Sequence, residues 1–146
     1  MLKSLYWRVN FFLKNRKSNR FLNSLGKDVK AVIVETKNGV LAVDPADLEV
    51  GAKLREKGEY GISEINQISQ LIDNKSSVLI VGAHIGSLAI PIANICSKVV
   101  AIEANPNNFK LLQTNVKLNN TDNIISLEIN DKIALTLLIG WIVFQS

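Results

Sequence analysis

The stretch Ser77-Val-Leu-Ile-Val-Gly-Ala-His-Ile-Gly86, followed by Lys98-Val-Val-Ala-Ile-Glu103, decides how this chain is read. Ser77–Val81 is an unbroken apolar run that ends in a glycine. A run without alternation predicts a strand buried on both faces, as in a parallel sheet. Gly86–Cys96 reads as a helix opened by a glycine turn, with Pro91 inside it to kink or shorten it. Lys98–Glu103 predicts a second buried strand. Pro106 then opens a helix that runs through Leu118, with Phe109, Leu112 and Val116 on one face and Asn119-Asn120 at its end. Ile124–Ile129 predicts a third strand. Strand–helix–strand–helix–strand is the pattern of an α/β parallel sheet.

Upstream, Ala31–Thr36 and Val40–Asp44 are two β-branched runs separated by Lys37-Asn38-Gly39, a strong hairpin signal. Asp47 is positioned to cap a short helix that runs through Lys57 and stops at Gly58. Ser63–Ile72 carries Ile65, Ile68, Leu71 and Ile72 at helical spacing, with Ser63 as the expected N-cap. Residues 1–25 read as an amphipathic helix in which Leu5, Val9, Phe12 and Leu13 recur at helical spacing beside Tyr6, Trp7 and Phe11.

Charge is unevenly distributed. The chain of 146 residues carries a formal +4, yet residues 1–27 hold seven Lys or Arg and no acid, and the remainder carries −3. A basic arm suits phosphate, on a nucleic acid or on an anionic membrane surface; the plainer alternative is a solvated helix leaning on the domain by its apolar side. Cys96 is the only cysteine, so no intrachain disulfide is possible, and its apolar setting predicts a buried small hydrophobe. Leu2–Leu13 is interrupted by Lys3 and Arg8 and lacks a cleavage site, so it does not read as a signal peptide. The apolar run Ile133–Phe144 is shorter than the ~20 residues of a spanning helix.

The chemistry sits at the first strand–helix turn. Gly82 and Gly86 stand four apart, and Glu103 follows Gly82 by 21 residues, at the end of the next strand. Ligands of open α/β sheets bind beyond the carboxyl ends of the strands, and an acid there accepts hydrogen bonds from ribose hydroxyls. A dinucleotide fingerprint would need glycine where His84 stands and again at Ser87. A pyrophosphate against that helix start would meet the histidine. S-adenosylmethionine has no phosphates and tolerates the departure, so it is the expected cofactor.

Three segments together resemble the FkbM family of S-adenosylmethionine-dependent methyltransferases: Val81–Gly86, Val100-Ala-Ile-Glu103-Ala-Asn-Pro106, and Phe109–Asn120. The hairpin Glu35–Asp44 and the stretch Gly58-Glu-Tyr-Gly61 extend the likeness to roughly two-thirds of the chain. The resemblance implies a Rossmann-like class I methyltransferase fold, with an incomplete parallel sheet preceded by a β-hairpin and a basic N-terminal helix. It divides the chain into an arm, 1–28, and a C-terminally truncated cofactor domain, 29–146. Gly82, Ala83, His84 and Gly86 would line the methionine side of the cofactor. Glu103 would hold the ribose, with Ala104 and Asn105 beside the adenine. Asn105, Asn115 and Asn119 are expected to cap and terminate helices. Where the family carries an acid, two residues before the first glycine, this chain has Ile80.

The implied activity is O-methylation of a sugar or metabolite hydroxyl, in a cytoplasmic protein. The implied partner is a small-molecule or glycan acceptor, with no nucleic acid and no metal, and with residues 1–25 available for peripheral membrane contact. Asp44, Asp47 and Asp131 are conceivable bases. Two other readings stand beside this one. The chain is then either a non-catalytic methyltransferase remnant, or a membrane- or partner-binding module that uses the arm and the apolar tail 134–146.

Overall fold

The computed structural model describes residues 28–129 and, in the arm, residues 12, 13, 16 and 19–26. The expectations for residues 1–11, for Asp131 and for the apolar tail lie outside the described residues. Described arm residues 12, 13, 16 and 19–25 are helical, and 19–25 is labelled α1. The hairpin follows as β1 (Val32–Thr36) and β2 (Gly39–Val43), then α2 (Val50–Lys57) and α3 (Ile62–Ser69). The alternating unit is β3 (Ser77–Val81), α4 (Ala89–Ala93), β4 (Lys98–Glu103), α5 (Pro106–Leu118) and β5 (Ile124–Glu128).

The parallel sheet has the order β3-β4-β5, with Val78 opposite Val99 and Ala101 opposite Ser126. The three strands stand where the apolar runs predict them. The most buried strand is β4, where Val99, Ala101 and Ile102 are inaccessible or nearly so. β3 instead lies at an edge of this sheet, half-buried along Val78–Ile80, with Val81 49% exposed. An unbroken apolar run therefore overstates its burial, because one flank of β3 has no neighbouring strand among the described residues.

Two other expectations need correction. The helix read as Gly86–Cys96 is only Ala89–Ala93, flanked by turns. Pro91 has no N–H to return to the carbonyl of Ser87, four residues back. That carbonyl accepts instead from the side-chain amide of Asn38 at 2.7 Å. Helix α3 is capped by Gly61, in a left-handed conformation, and not by Ser63. A Cβ at Gly61 would stand 2.7 Å from Leu88 Cδ2. Helix α3 also stops at Ser69, short of the expected Ile72, while two other helix ends fall as expected. Gly58 terminates α2 with a left-handed cap, and Asn105 caps α5 through Asn107 N and Asn108 N.

The core lies where α4 and α5 meet the strands. Leu41, Val43, Leu54, Ile85, Ile90, Ile92, Val99 and Leu112 are almost completely buried there, and Cys96 joins them as a small hydrophobe. The hairpin β1–β2 is a separate two-stranded sheet, so β2 has a free edge. Helix α5 covers it. Asn115 accepts from Ala42 N at 2.6 Å and donates to Ala42 O at 3.1 Å. Asn119 accepts from Val40 N at 3.0 Å and donates to Val40 O at 2.7 Å. The spacing matches because four helical residues rise ~6 Å and two strand residues ~6.6 Å. A helix thus supplies side-chain amides where a third strand would supply backbone. Gly39 permits the approach, since a Cβ there would stand 2.5 Å from Asn119 Oδ1.

Candidate cofactor site

The ladder between β3 and β4 runs one step past Val81. Gly82 N and Ala83 N both donate to Ile102 O at 2.9 Å. This pins the start of the turn to the end of the central strand. Glu103, the next residue of β4, closes the arrangement. Its Oε2 accepts from His84 N at 2.8 Å and its Oε1 from Asn105 N at 2.8 Å. One carboxylate therefore holds both loops at the carboxyl end of the sheet. It is only 7% exposed, and each oxygen retains a second lone pair for a ligand.

The two glycines of the turn have different tasks. Gly82 has φ +81°, and a Cβ built on it meets nothing within 4 Å. It borders open space at the mouth of the sheet. Gly86 has φ +89°, and its Cβ would come within 2.8 Å of Leu112 Cδ1. It lets α5 pack against the turn. His84 also has positive φ, +53°. The backbone thus keeps the conformation that a glycine fingerprint demands, although the residue there is histidine.

From the far side the turn is held by buried asparagines. Asn115 Nδ2 donates to Ile85 O at 2.8 Å, and Asn38 donates to Ser87 O. Asn38 also ties the hairpin to Tyr60 through Tyr60 O and Tyr60 N. Sequence reading assigns Asn115 to helix termination, yet it is wholly buried and serves the turn. Its position on the buried face of α5, three residues after Leu112, is the signal for this role.

Asp47, from the loop before α2, faces the turn across 3.9 Å, from its Oδ2 to His84 Nε2. Asp47 also accepts from Glu49 N and Gly51 N; the N-cap position of α2 itself is Glu49, two residues after the expected Asp47. Asp44 accepts from Ala46 N. Arg55 reaches back from α2 to the carbonyls of Asp44 and Asp47. Burial pushes its guanidinium below the usual arginine range, and the Asp47 carboxylate opposes that shift. Among the described residues, the one buried side-chain nitrogen or oxygen without a hydrogen-bond partner is Nδ1 of His84.

The seven cofactor candidates fall into two sets. Gly82, Ala104 and Asn105 are exposed at the carboxyl end of the sheet, with His84 partly exposed beside them and Glu103 between the two loops. Ala83 and Gly86 are buried in the turn's packing. The residues fit S-adenosylmethionine on two observations: open space over Gly82, and an unpartnered His84 Nδ1 in the same turn. Among the described residues no group of His, Cys, Asp and Glu is arranged to hold a metal ion.

A family model described as the TRM5/TYW2 methyltransferase domain matches residues 55–137, more than half of the chain. The chain belongs to the TRM5/TYW2 methyltransferase family. Solved structures agree. The tRNA m1G37 methyltransferase of M. jannaschii is 26% identical with a TM-score of 0.56, over 72% of this chain and 32% of that one. M. jannaschii TYW2, solved in complex with AdoMet, is 25% identical with a TM-score of 0.58, over 72% of this chain and 45% of that one. The aTrm5 in complex with tRNALeu is 26% identical with a TM-score of 0.56, over 72% of this chain and 29% of that one. The chain thus spans less than half the length of these TRM5/TYW2 proteins. No curated protein matches the chain significantly.

These findings bear out the Rossmann-like class I methyltransferase fold and S-adenosylmethionine as the cofactor. They correct the finer family: the chain is of the TRM5/TYW2 type and not of the FkbM type. At the position where the FkbM family carries an acid, Ile80 packs against the hydrophobic core. They also overturn the expectation of a glycan or metabolite acceptor with no nucleic acid, because one similar structure is a tRNA m1G37 methyltransferase and another is bound to tRNALeu. Gly82–Gly86 and Glu103, the residues expected at the cofactor, carry no information on the acceptor. No helix among the described residues is long and apolar enough to cross a membrane.

Proposed function

We propose that this chain binds S-adenosylmethionine at the carboxyl end of β3 and β4 and serves methyl transfer to a tRNA base. The observation that carries the reading is the Glu103 carboxylate, which joins the glycine turn to the β4–α5 loop beside open space at Gly82. When bound, the cofactor supplies an activated methyl group on a sulfonium, and the protein supplies position.

Each residue then has a task. The spare lone pairs of Glu103 take the ribose hydroxyls, while its present bonds keep both loops in place. Gly82 lets the methionine part lie against backbone, and His84 Nδ1 meets its polar end. Ala104 and Asn105 border the adenine. Ala83 and Gly86 shape the turn without facing the ligand. Asp44 and Asp47, weighed as bases from sequence, are engaged by backbone N–H groups of their own turns. The division into an arm, 1–28, and a cofactor domain from residue 29 onward is kept, and a tRNA substrate agrees with a cytoplasmic location.

The test is transfer of label from methyl-labelled S-adenosylmethionine to an unmodified tRNA transcript. Incorporation that Glu103→Gln abolishes supports the proposal. Cofactor binding without transfer to any tRNA would leave the non-catalytic alternative. Absence of cofactor binding would refute the site.

A further inference from the structure

The basic arm has no part in the cofactor site, yet its described residues are arranged in two distinct faces. Phe21, Leu22 and Leu25 are half-buried. Phe21 lies against α2, with the Arg55 guanidinium 5.2 Å from its ring centroid. Phe12, Arg16, Asn19, Arg20 and Asn23 line one shallow surface groove. At 3.6 residues per turn those five fall within about 100° of arc, and Phe21 points about half a turn away. The arm is therefore anchored by its apolar side and presents two guanidiniums, two amides and one aromatic ring outward.

We propose that this outward face is a docking surface for the sugar–phosphate backbone of folded RNA. The inference rests on the tRNA reading above and names the surface that holds the substrate. Charge complementarity supports it: seven Lys or Arg and no acid lie in residues 1–27. Guanidiniums take phosphates in two-pronged hydrogen bonds, amides take phosphate oxygens and base edges, and a ring such as Phe12 stacks on an unpaired base. A lipid surface would need a continuous apolar face; Phe21 is held at Arg55 and Leu22 and Leu25 are half-buried, which leaves Phe12 and Leu13 as the exposed apolar side chains among the described arm residues. Placement agrees as well. Arg55, which holds Phe21, also bonds the carbonyl of Asp47, and the Asp47 carboxylate faces His84 of the cofactor turn. RNA held on the arm thus lies beside the site.

The test is fluorescence anisotropy of a labelled, unmodified tRNA transcript titrated with the full chain at several KCl concentrations. The variants are Arg16→Gln/Arg20→Gln and Phe21→Ala. The double variant is expected to lose about tenfold or more in affinity at low salt, and its salt slope to become shallower by roughly 1.4–1.8, for two phosphate contacts. Phe21→Ala, with its charge unchanged, is expected to weaken binding severalfold because the arm loses its anchor. Calorimetric binding of S-adenosylmethionine is expected to be unchanged in both. Unchanged RNA affinity and slope in the double variant, with tRNA still bound, would overturn the arm proposal and leave the tRNA reading standing. No tRNA binding by the wild-type chain would overturn both. Unchanged affinity in Phe21→Ala would show a loose basic tail and not a docked surface. Loss of co-sedimentation with phosphatidylserine vesicles, with tRNA affinity intact, would assign the arm to lipid and overturn the proposal.

Discussion

His84 occupies a backbone conformation that favours glycine, in the middle of the turn proposed to face the cofactor. A non-glycine residue there costs about 1–2 kcal/mol, of which glycine's greater freedom when unfolded offsets part. His84→Gly is therefore expected to be more stable than His84→Ala by about 1 kcal/mol in urea denaturation. The neighbouring glycines are expected to separate cleanly. Gly82→Ala puts a methyl group into open space and should reduce S-adenosylmethionine affinity more than tenfold, with a stability loss of about 1–2 kcal/mol from its positive φ. Gly86→Ala drives a methyl group into Leu112 and should cost more stability than Gly82→Ala. Paired calorimetry and denaturation of the two variants read both effects. From sequence, Gly82, Gly86 and Glu103 are visible as a cofactor turn with its acid. The double duty of Glu103 is not visible, because it depends on which backbone N–H groups the two loops turn toward it.

Helix α5 and strand β2 are joined by a set of amide bonds that stands in for sheet pairing. Asn115 is fully buried and satisfies Ala42 N, Ala42 O and Ile85 O. Asn115→Leu leaves these groups without partners, each worth about 1–3 kcal/mol when stranded. The expected loss is at least about 3 kcal/mol by chemical denaturation, against about 1 kcal/mol for the half-exposed Asn119→Ala. Equal effects would show that the two amides do not differ by burial. The elements themselves are well read from sequence. β3, β4 and α5 fall on their predicted bounds, because apolar runs, Pro106 and Asn105 are local signals. The length of α4 and the cap of α3 are not legible in the same way. Near Pro91 the carbonyl of Ser87 takes its donor from Asn38 across the fold, and the α3 cap is Gly61, packed against Leu88.

For the molecule as a whole, fold and cofactor are written in a short central segment, while acceptor chemistry is not. The glycine turn and Glu103 are common to methyltransferases of many substrates, so reading them leads to S-adenosylmethionine and stops there. Burial of β3 was likewise out of reach, since a strand's neighbours are a property of the assembled sheet. The unequal charge of the arm is visible in the sequence, although charge alone fits any phosphate surface. The central claim is a cofactor site built on Gly82 and Glu103, and isothermal titration of S-adenosylmethionine into the full chain tests it most directly. Saturable binding to one site is expected, weakened at least tenfold in Glu103→Gln while circular dichroism stays unchanged. No heat of binding to the wild-type chain, or equal affinity in the folded variant, would contradict it.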